Sequence, residues 1–164
     1  MKKKIISLSF CAFFILSFSL LYAAQSNVEL TKSMQVVDTL DKVDALYRPG
    51  TVEDDWSDST YKCAAYPIKY FKSQYSVNLS GLGTNGTPSV SSGKISVVTT
   101  PQKGDLAFWA SSPHSAIVKS VSGGKATLIE QNWKYLSNGK WYATINREVS
   151  TTASGLKFYR WSSK

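Results

Sequence analysis

The chain predicts an α+β domain in which helical segments come first and an antiparallel sheet follows. Two observations set that order. Up to about residue 75 apolar residues recur at spacings of three and four, while from Leu106 onward short apolar and aromatic runs are separated by glycine-containing turns. A third observation bounds the domain. Lys2, Lys3 and Lys4 precede 17 uncharged, mostly apolar residues, Ile5 to Leu21, and small residues follow at Ala23, Ala24 and Ser26. This is the order of a secretory signal peptide, so residues 1–24 are assigned to export, with cleavage between Ala23 and Asn27. Cys11 lies inside the apolar run and does not resemble a lipid-attachment site. Removal of the signal leaves roughly 140 residues, enough for one domain with a core and too few for two.

Residues 25–52 form a lead segment. Leu30, Met34, Val36, Val37, Leu40, Val43 and Tyr47 recur near helical spacing, with Asp38, Asp41, Lys42 and Asp44 largely between them. The pattern predicts one amphipathic helix over 28–47, ended by Pro49-Gly50. The remainder, 53–164, reads as the main domain. An acidic, polar stretch from Glu53 to Thr60 leads to Cys63, and a helix is predicted from near Ala64 to about Tyr75. Pro67 then falls in or just beyond the first turn, where proline is tolerated. Residues 76–102 are rich in Gly, Ser, Thr and Asn and predict a long surface connection with a short strand near Ile95–Val98. Strands are expected at Leu106–Trp109, Ala116–Val118, Ala126–Ile129, Trp141–Ile145 and Leu156–Trp161, with turns at Gly123-Gly124 and Asn138-Gly139.

The net charge is +8, and loss of the three signal lysines lowers it to +5. That suits an anionic partner such as a cell-wall polymer without demanding one. No basic run with interleaved aromatics points to nucleic acid. The chemistry-bearing residues are few. Without the signal the chain keeps one cysteine, Cys63, and one histidine, His114. A lone cysteine forms no internal disulfide, and a lone histidine builds no multi-histidine metal site, so neither a metal nor another cofactor is expected. What remains is a thiol, an imidazole to deprotonate it and polar groups to orient the imidazole. Cys63 stands at a helix amino end, where free N–H groups and the helix dipole favour thiolate. Glu130 and Asn132, two apart, share one face if their strand continues through them. A hairpin centred on residues 123–124 pairs residue 114 with about residue 133, which brings His114 towards Glu130 and Asn132. Of the aromatic residues Trp56, Tyr61, Trp109, Trp133, Tyr135 and Trp141, most are expected in the core. Trp133, directly after the site strand, is the candidate for lining a groove.

The segments Pro101-Gln102-Lys103-Gly104-Asp105-Leu106-Ala107-Phe108-Trp109, Pro113-His114-Ser115-Ala116-Ile117-Val118 and Ile129-Glu130-Gln131-Asn132, behind a cysteine that opens a helix, closely resemble the CHAP family. These are cysteine- and histidine-dependent amidohydrolases and peptidases of papain-like type, and the similarity runs from about Trp56 to Trp161. The resemblance implies a papain-like fold with Cys63 as nucleophile, His114 as base and Glu130 as the residue that orients it. Asn132 would be a further polar member, and Asp105 a structural residue capping the turn into its strand. Two departures stand out. Lys62 replaces a glutamine that often precedes the cysteine and polarises the substrate carbonyl, leaving Tyr61 as a possible second oxyanion donor beside the Cys63 N–H. Pro113 stands where glycine is common.

The activity implied is hydrolysis of an amide bond in peptidoglycan, either between muramic acid and the stem peptide or within the peptide or cross-bridge. The expected partner is peptidoglycan or its stem peptides, with membrane contact only during export. A secreted toxin would add a cognate immunity protein or inhibitor. Two alternatives remain open at this point: a peptidase or amidase acting on a non-wall substrate, and a catalytically silent binding module with the same fold.

Overall fold

The computed structural model describes residues 24–51 and 59–163. The expected signal, through residue 23, and the acidic stretch around Trp56 lie outside them. The elements run β1 (Ser26–Glu29), β2 (Gln35–Leu40), β3 (Val43–Tyr47), a 3₁₀ turn (Ser59–Tyr61), α1 (Ala65–Tyr75), β4 (Leu79–Ser80), β5 (Ser89–Val90), β6 (Lys94–Val98), β7 (Leu106–Trp109), β8 (His114–Ser122), β9 (Lys125–Glu130), β10 (Lys134–Ser137), β11 (Lys140–Ile145), β12 (Arg147–Ser150) and β13 (Leu156–Ser162). Antiparallel sheet dominates. A six-stranded sheet has the order β12-β9-β8-β7-β13-β6, and a three-stranded one the order β1-β11-β10.

The lead segment is the main correction. Residues 28–47 are not a helix but parts of β1, β2 and β3, with β2 and β3 forming a hairpin. Asp41 and Lys42 both have positive φ, 49° and 67°, and form a two-residue turn with Leu40 paired to Val43. The spacing of three between those two residues is therefore a cross-strand pair and not a helical step. Inside β3 the alternation is plain, since Val43, Ala45 and Tyr47 are buried and the residues between them are not. Val36, Val37 and Thr39 supply β-branched residues, which suit a pleated strand better than a helix. The helix that remains among the described residues is α1, with Pro67 in its first turn as expected.

Period-two alternation buries both faces of the large sheet. Leu106, Phe108, Ile117, Ile129 and Tyr159 face one way, onto the α1 residues Tyr66, Tyr70 and Phe71 and onto the β2–β3 hairpin. Ala107, Ala116, Val118, Leu128 and Phe158 face the other way, into a smaller cluster with Trp109, Val149 and Leu156. Asp105 acts in the structural role expected of it. Its buried carboxylate accepts the Gln102 N–H at 2.8 Å and a two-pronged Arg160 contact at 2.8 and 2.9 Å, which closes the turn into β7. Within the 76–102 connection, β4 and β5 pair with each other and Val77 and Leu79 are buried.

Candidate active site

Cys63 lies two residues before α1. Ala64, at the helix cap, makes no side-chain capping bond, and its own backbone N–H is directed at the Cys63 sulfur. As a thiol, Cys63 reaches the Pro113 carbonyl at 3.8 Å. Burial pushes its acidity down, but a hydrogen bond and the charge of His114, with the Ser115 and Ala64 N–H groups, outweigh that and hold the thiol below its ordinary value.

His114 opens β8, and its placement depends on one extra residue. β8 and β9 pair Ser120 with Thr127 near the turn but Val118 with Leu128 further on, so Lys119 is bulged out. Had the ladder stayed regular, residue 114 would oppose 133, and Glu130 would oppose Ile117 on the sheet face away from His114. The bulge shifts the pairing by one. Glu130 now opposes Ala116, and side chains at 114, 116 and 130 share a face. His114 Nε2 meets Glu130 Oε2 at 2.6 Å, which leaves Nδ1 as the ring nitrogen for Cys63. Burial disfavours the imidazolium, but Cys63 and Glu130 more than compensate and raise its pKa to about 9.

Glu130 has a second partner that the sequence reading missed. Arg147, at the start of β12, donates from Nε to Oε1 at 2.6 Å and from Nη2 to Oε2 at 2.7 Å. Burial opposes ionisation of Glu130, yet the hydrogen bonds and charges of Arg147 and His114 keep its pKa below the ordinary carboxylate value. The guanidinium stands between two indoles, 3.9 Å from the Trp133 ring centroid and 5.2 Å from that of Trp109. A buried strand carboxylate calls for a counter-ion, and the cation in the following edge strand was the available signal. Gln131 was also missed. Fully buried, its amide oxygen accepts the Leu46 N–H at 3.0 Å, and its nitrogen donates to the Thr60 and Lys62 carbonyls at 2.8 and 3.3 Å. It ties the segment preceding Cys63 to β3 and to the end of β9.

The remaining expected residues are Asn132, Tyr61 and Trp133. β9 ends at Glu130 and Asn132 has φ 59°, so the alternation breaks and the two do not share a strand face. The Asn132 side-chain oxygen is buried without a hydrogen-bond partner. Tyr61 is buried, with the Arg48 guanidinium 5.3 Å from its ring centroid. Trp133 lies 4.9 Å from the His114 ring centroid. It lines a cavity of about 270 Å³ together with His114, Arg147, Trp109, Val149 and Ala153. A separate groove of about 700 Å³ is lined by Lys62, Ala64 and the α1 residues Ala65, Ile68, Lys69 and Lys72. Among the described residues, no group of three or more His, Cys, Asp or Glu side chains is placed to hold a metal ion.

The stretch of chain that carries these groups has a match among known domains. Residues 54–132 fit the model of the CHAP domain. Over that stretch the chain is similar to the CHAP family. That domain carries hydrolase activity of the amidase or peptidase type, commonly on peptidoglycan. The matched residues take in Cys63, His114, Glu130 and Asn132 and end before Arg147. No curated protein matches the chain.

Proposed function

We propose that the protein is an exported cysteine hydrolase that cuts amide bonds of peptidoglycan, through Cys63, His114 and Glu130 in a papain-like arrangement. The observation that carries this reading is the 2.6 Å contact between His114 and a buried Glu130, with the acidified Cys63 on the other ring nitrogen. The thiolate attacks the amide carbonyl, and the N–H of Cys63 is suited to meet the developing oxyanion. The imidazolium gives its proton to the leaving amine as the C–N bond breaks, leaving a thioester on Cys63. His114, now neutral, takes a proton from water, which attacks the thioester, and the thiolate leaves as the carboxylic acid product forms. Glu130 holds the ring and favours its charged form throughout.

Export supports the choice of substrate, because the charged head and apolar run of residues 2–21 would deliver the enzyme to the compartment of the wall. Purified protein is incubated with peptidoglycan and the new ends are identified by mass spectrometry. New stem-peptide amines or cut cross-bridges are expected. Absence of any wall product, while small amide substrates are cleaved, would overturn the reading.

A further inference from the structure

The three-stranded sheet carries an exposed aromatic row that begins at the catalytic histidine. The Thr144 N–H donates to the Trp133 carbonyl at 3.1 Å, so the β10–β11 ladder extends through Trp133. Residues 133 and 135 therefore point to the same side. Tyr135 is paired directly with Tyr142, their rings stacked at 5.6 Å and 23°. The opposite side of this sheet holds Ala143, fully buried in the main core, and Trp141, packed against that core. The row is thus the outward face, and Trp133 and Tyr135 remain 41% and 42% exposed. Polar groups border it, among them the Lys140–Glu29 ion pair at 3.1 Å and Asn27, whose side-chain oxygen accepts the Thr144 hydroxyl at 3.2 Å.

Large aromatic side chains left in water next to a reaction centre are costly unless something covers them. The chemistry of this row is specific about what that is. A pyranose ring offers a flat C–H face to an aromatic ring, while its hydroxyl and N-acetyl groups bond to a polar rim. β1 and β10 are the edge strands of this sheet, but the aromatic row lies on its face, where ring stacking and not backbone pairing is on offer. Trp133 bridges the row to the cavity beside His114, so a chain lying on the tyrosines is continuous with the site.

We propose that the outer face of β10–β11, through Tyr135 and Tyr142, is a stacking platform for an N-acetylated amino-sugar strand joined to the scissile peptide. This rests on the reading that wall polymer is the substrate. The platform is tested with the full mature chain and three probes: N-acetylglucosamine tetramer, glycan-linked stem peptide and the same peptide without sugar. Binding of the tetramer is measured on a Cys63→Ala background by NMR. Tyr135→Ala and Tyr142→Ala should each weaken it about tenfold. They should raise KM for the glycan-linked peptide and leave hydrolysis of the sugar-free peptide unchanged. Tyr135→Phe, which keeps the ring, should retain most of the binding. No tetramer binding, together with equal kcat/KM for the two peptides, overturns the platform while leaving the hydrolase reading intact. Tetramer binding without cleavage of either peptide sinks the hydrolase reading and keeps the platform. Sedimentation as a dimer that dissociates in Tyr135→Ala would assign the face to a second copy and overturn the proposal.

Discussion

Cys63 sits at the end of a loop stitched down by backbone and amide hydrogen bonds, whereas His114 is fixed by a buried chain of charges running through Glu130 to Arg147. The first arm is borne on the helix layer and the second on the ends of the strands. Among the described residues the charge that favours the thiolate is that of the imidazole, so the acidity of the thiol is borrowed from the second arm. Removing a charge from the strand arm should change the chemistry of the helix arm. Loosening the helix arm should leave the charges of the strand arm in place.

The largest effect is expected where the arms meet. Cys63→Ala and His114→Ala should each lower peptidoglycan hydrolysis by about 10³-fold or more, and the double variant should be no worse than either. Product release and thermal unfolding measured side by side would reveal activity loss without loss of fold. If the two losses multiplied instead, the residues would not be acting as one unit.

Glu130→Gln should cost less, about 10²-fold. The amide keeps hydrogen-bonding reach but no longer favours imidazolium, so the His114 pKa should drop and the alkaline limb of the pH–rate profile should move to lower pH. In the wild type, activity should rise as Cys63 ionises, below the ordinary range of a thiol, and fall as His114 loses its proton near pH 9. Alkylation rate against pH reads the first limb independently. An inflection at or above the ordinary thiol value would remove the ion pair from the mechanism.

Arg147→Met leaves the Glu130 carboxylate buried without its two-pronged partner and should destabilise the fold by about 3 kcal/mol. With one cation gone, the pKa values of Glu130, His114 and Cys63 all rise, so both limbs of the profile should move to higher pH. Arg147→Lys restores the charge but not the fork or the stacking between Trp109 and Trp133, and should recover only part of the loss. An unshifted profile in Arg147→Met would reduce Arg147 to a packing role. The smallest effect is expected on the helix arm. Gln131→Leu strands the Leu46 N–H and the Thr60 and Lys62 carbonyls, at about 1–3 kcal/mol in denaturant midpoints. Its kcat should fall with the limbs of the pH profile unmoved.

The strand arm was also the more legible in sequence. β7, β8, β9, β11 and β13 stand where apolar runs bounded by Gly123-Gly124 and Asn138-Gly139 placed them, because those turns carry glycine where positive φ is needed. The β2–β3 turn uses Asp41 and Lys42 at positive φ, without glycine, and so gave no turn signal. Leu40 and Val43 then mimicked a helical step. Cys63, His114 and Glu130 were picked out by residue type, but the regular hairpin read from the turn would have put Glu130 on the wrong face, and the extra residue at Lys119 left no sequence signal. The place of Asn132 was not legible, because alternation was extended two residues past the end of β9. Gln131 was not, because its partners are backbone groups of segments distant in sequence, nor was Arg147, because a counter-ion supplied by an edge strand leaves no spacing rule to follow.

The extra residue at Lys119 has a consequence for anyone who would transplant this chemistry. A histidine and a glutamate copied onto a regular two-stranded hairpin at positions 114 and 130, with the turn kept where it is, would emerge on opposite sides and never touch. The minimal portable unit is therefore not a pair of side chains but the whole β8–β9 ribbon with its irregularity. A design that smooths the ribbon while keeping the residue count would erase the contact it set out to preserve.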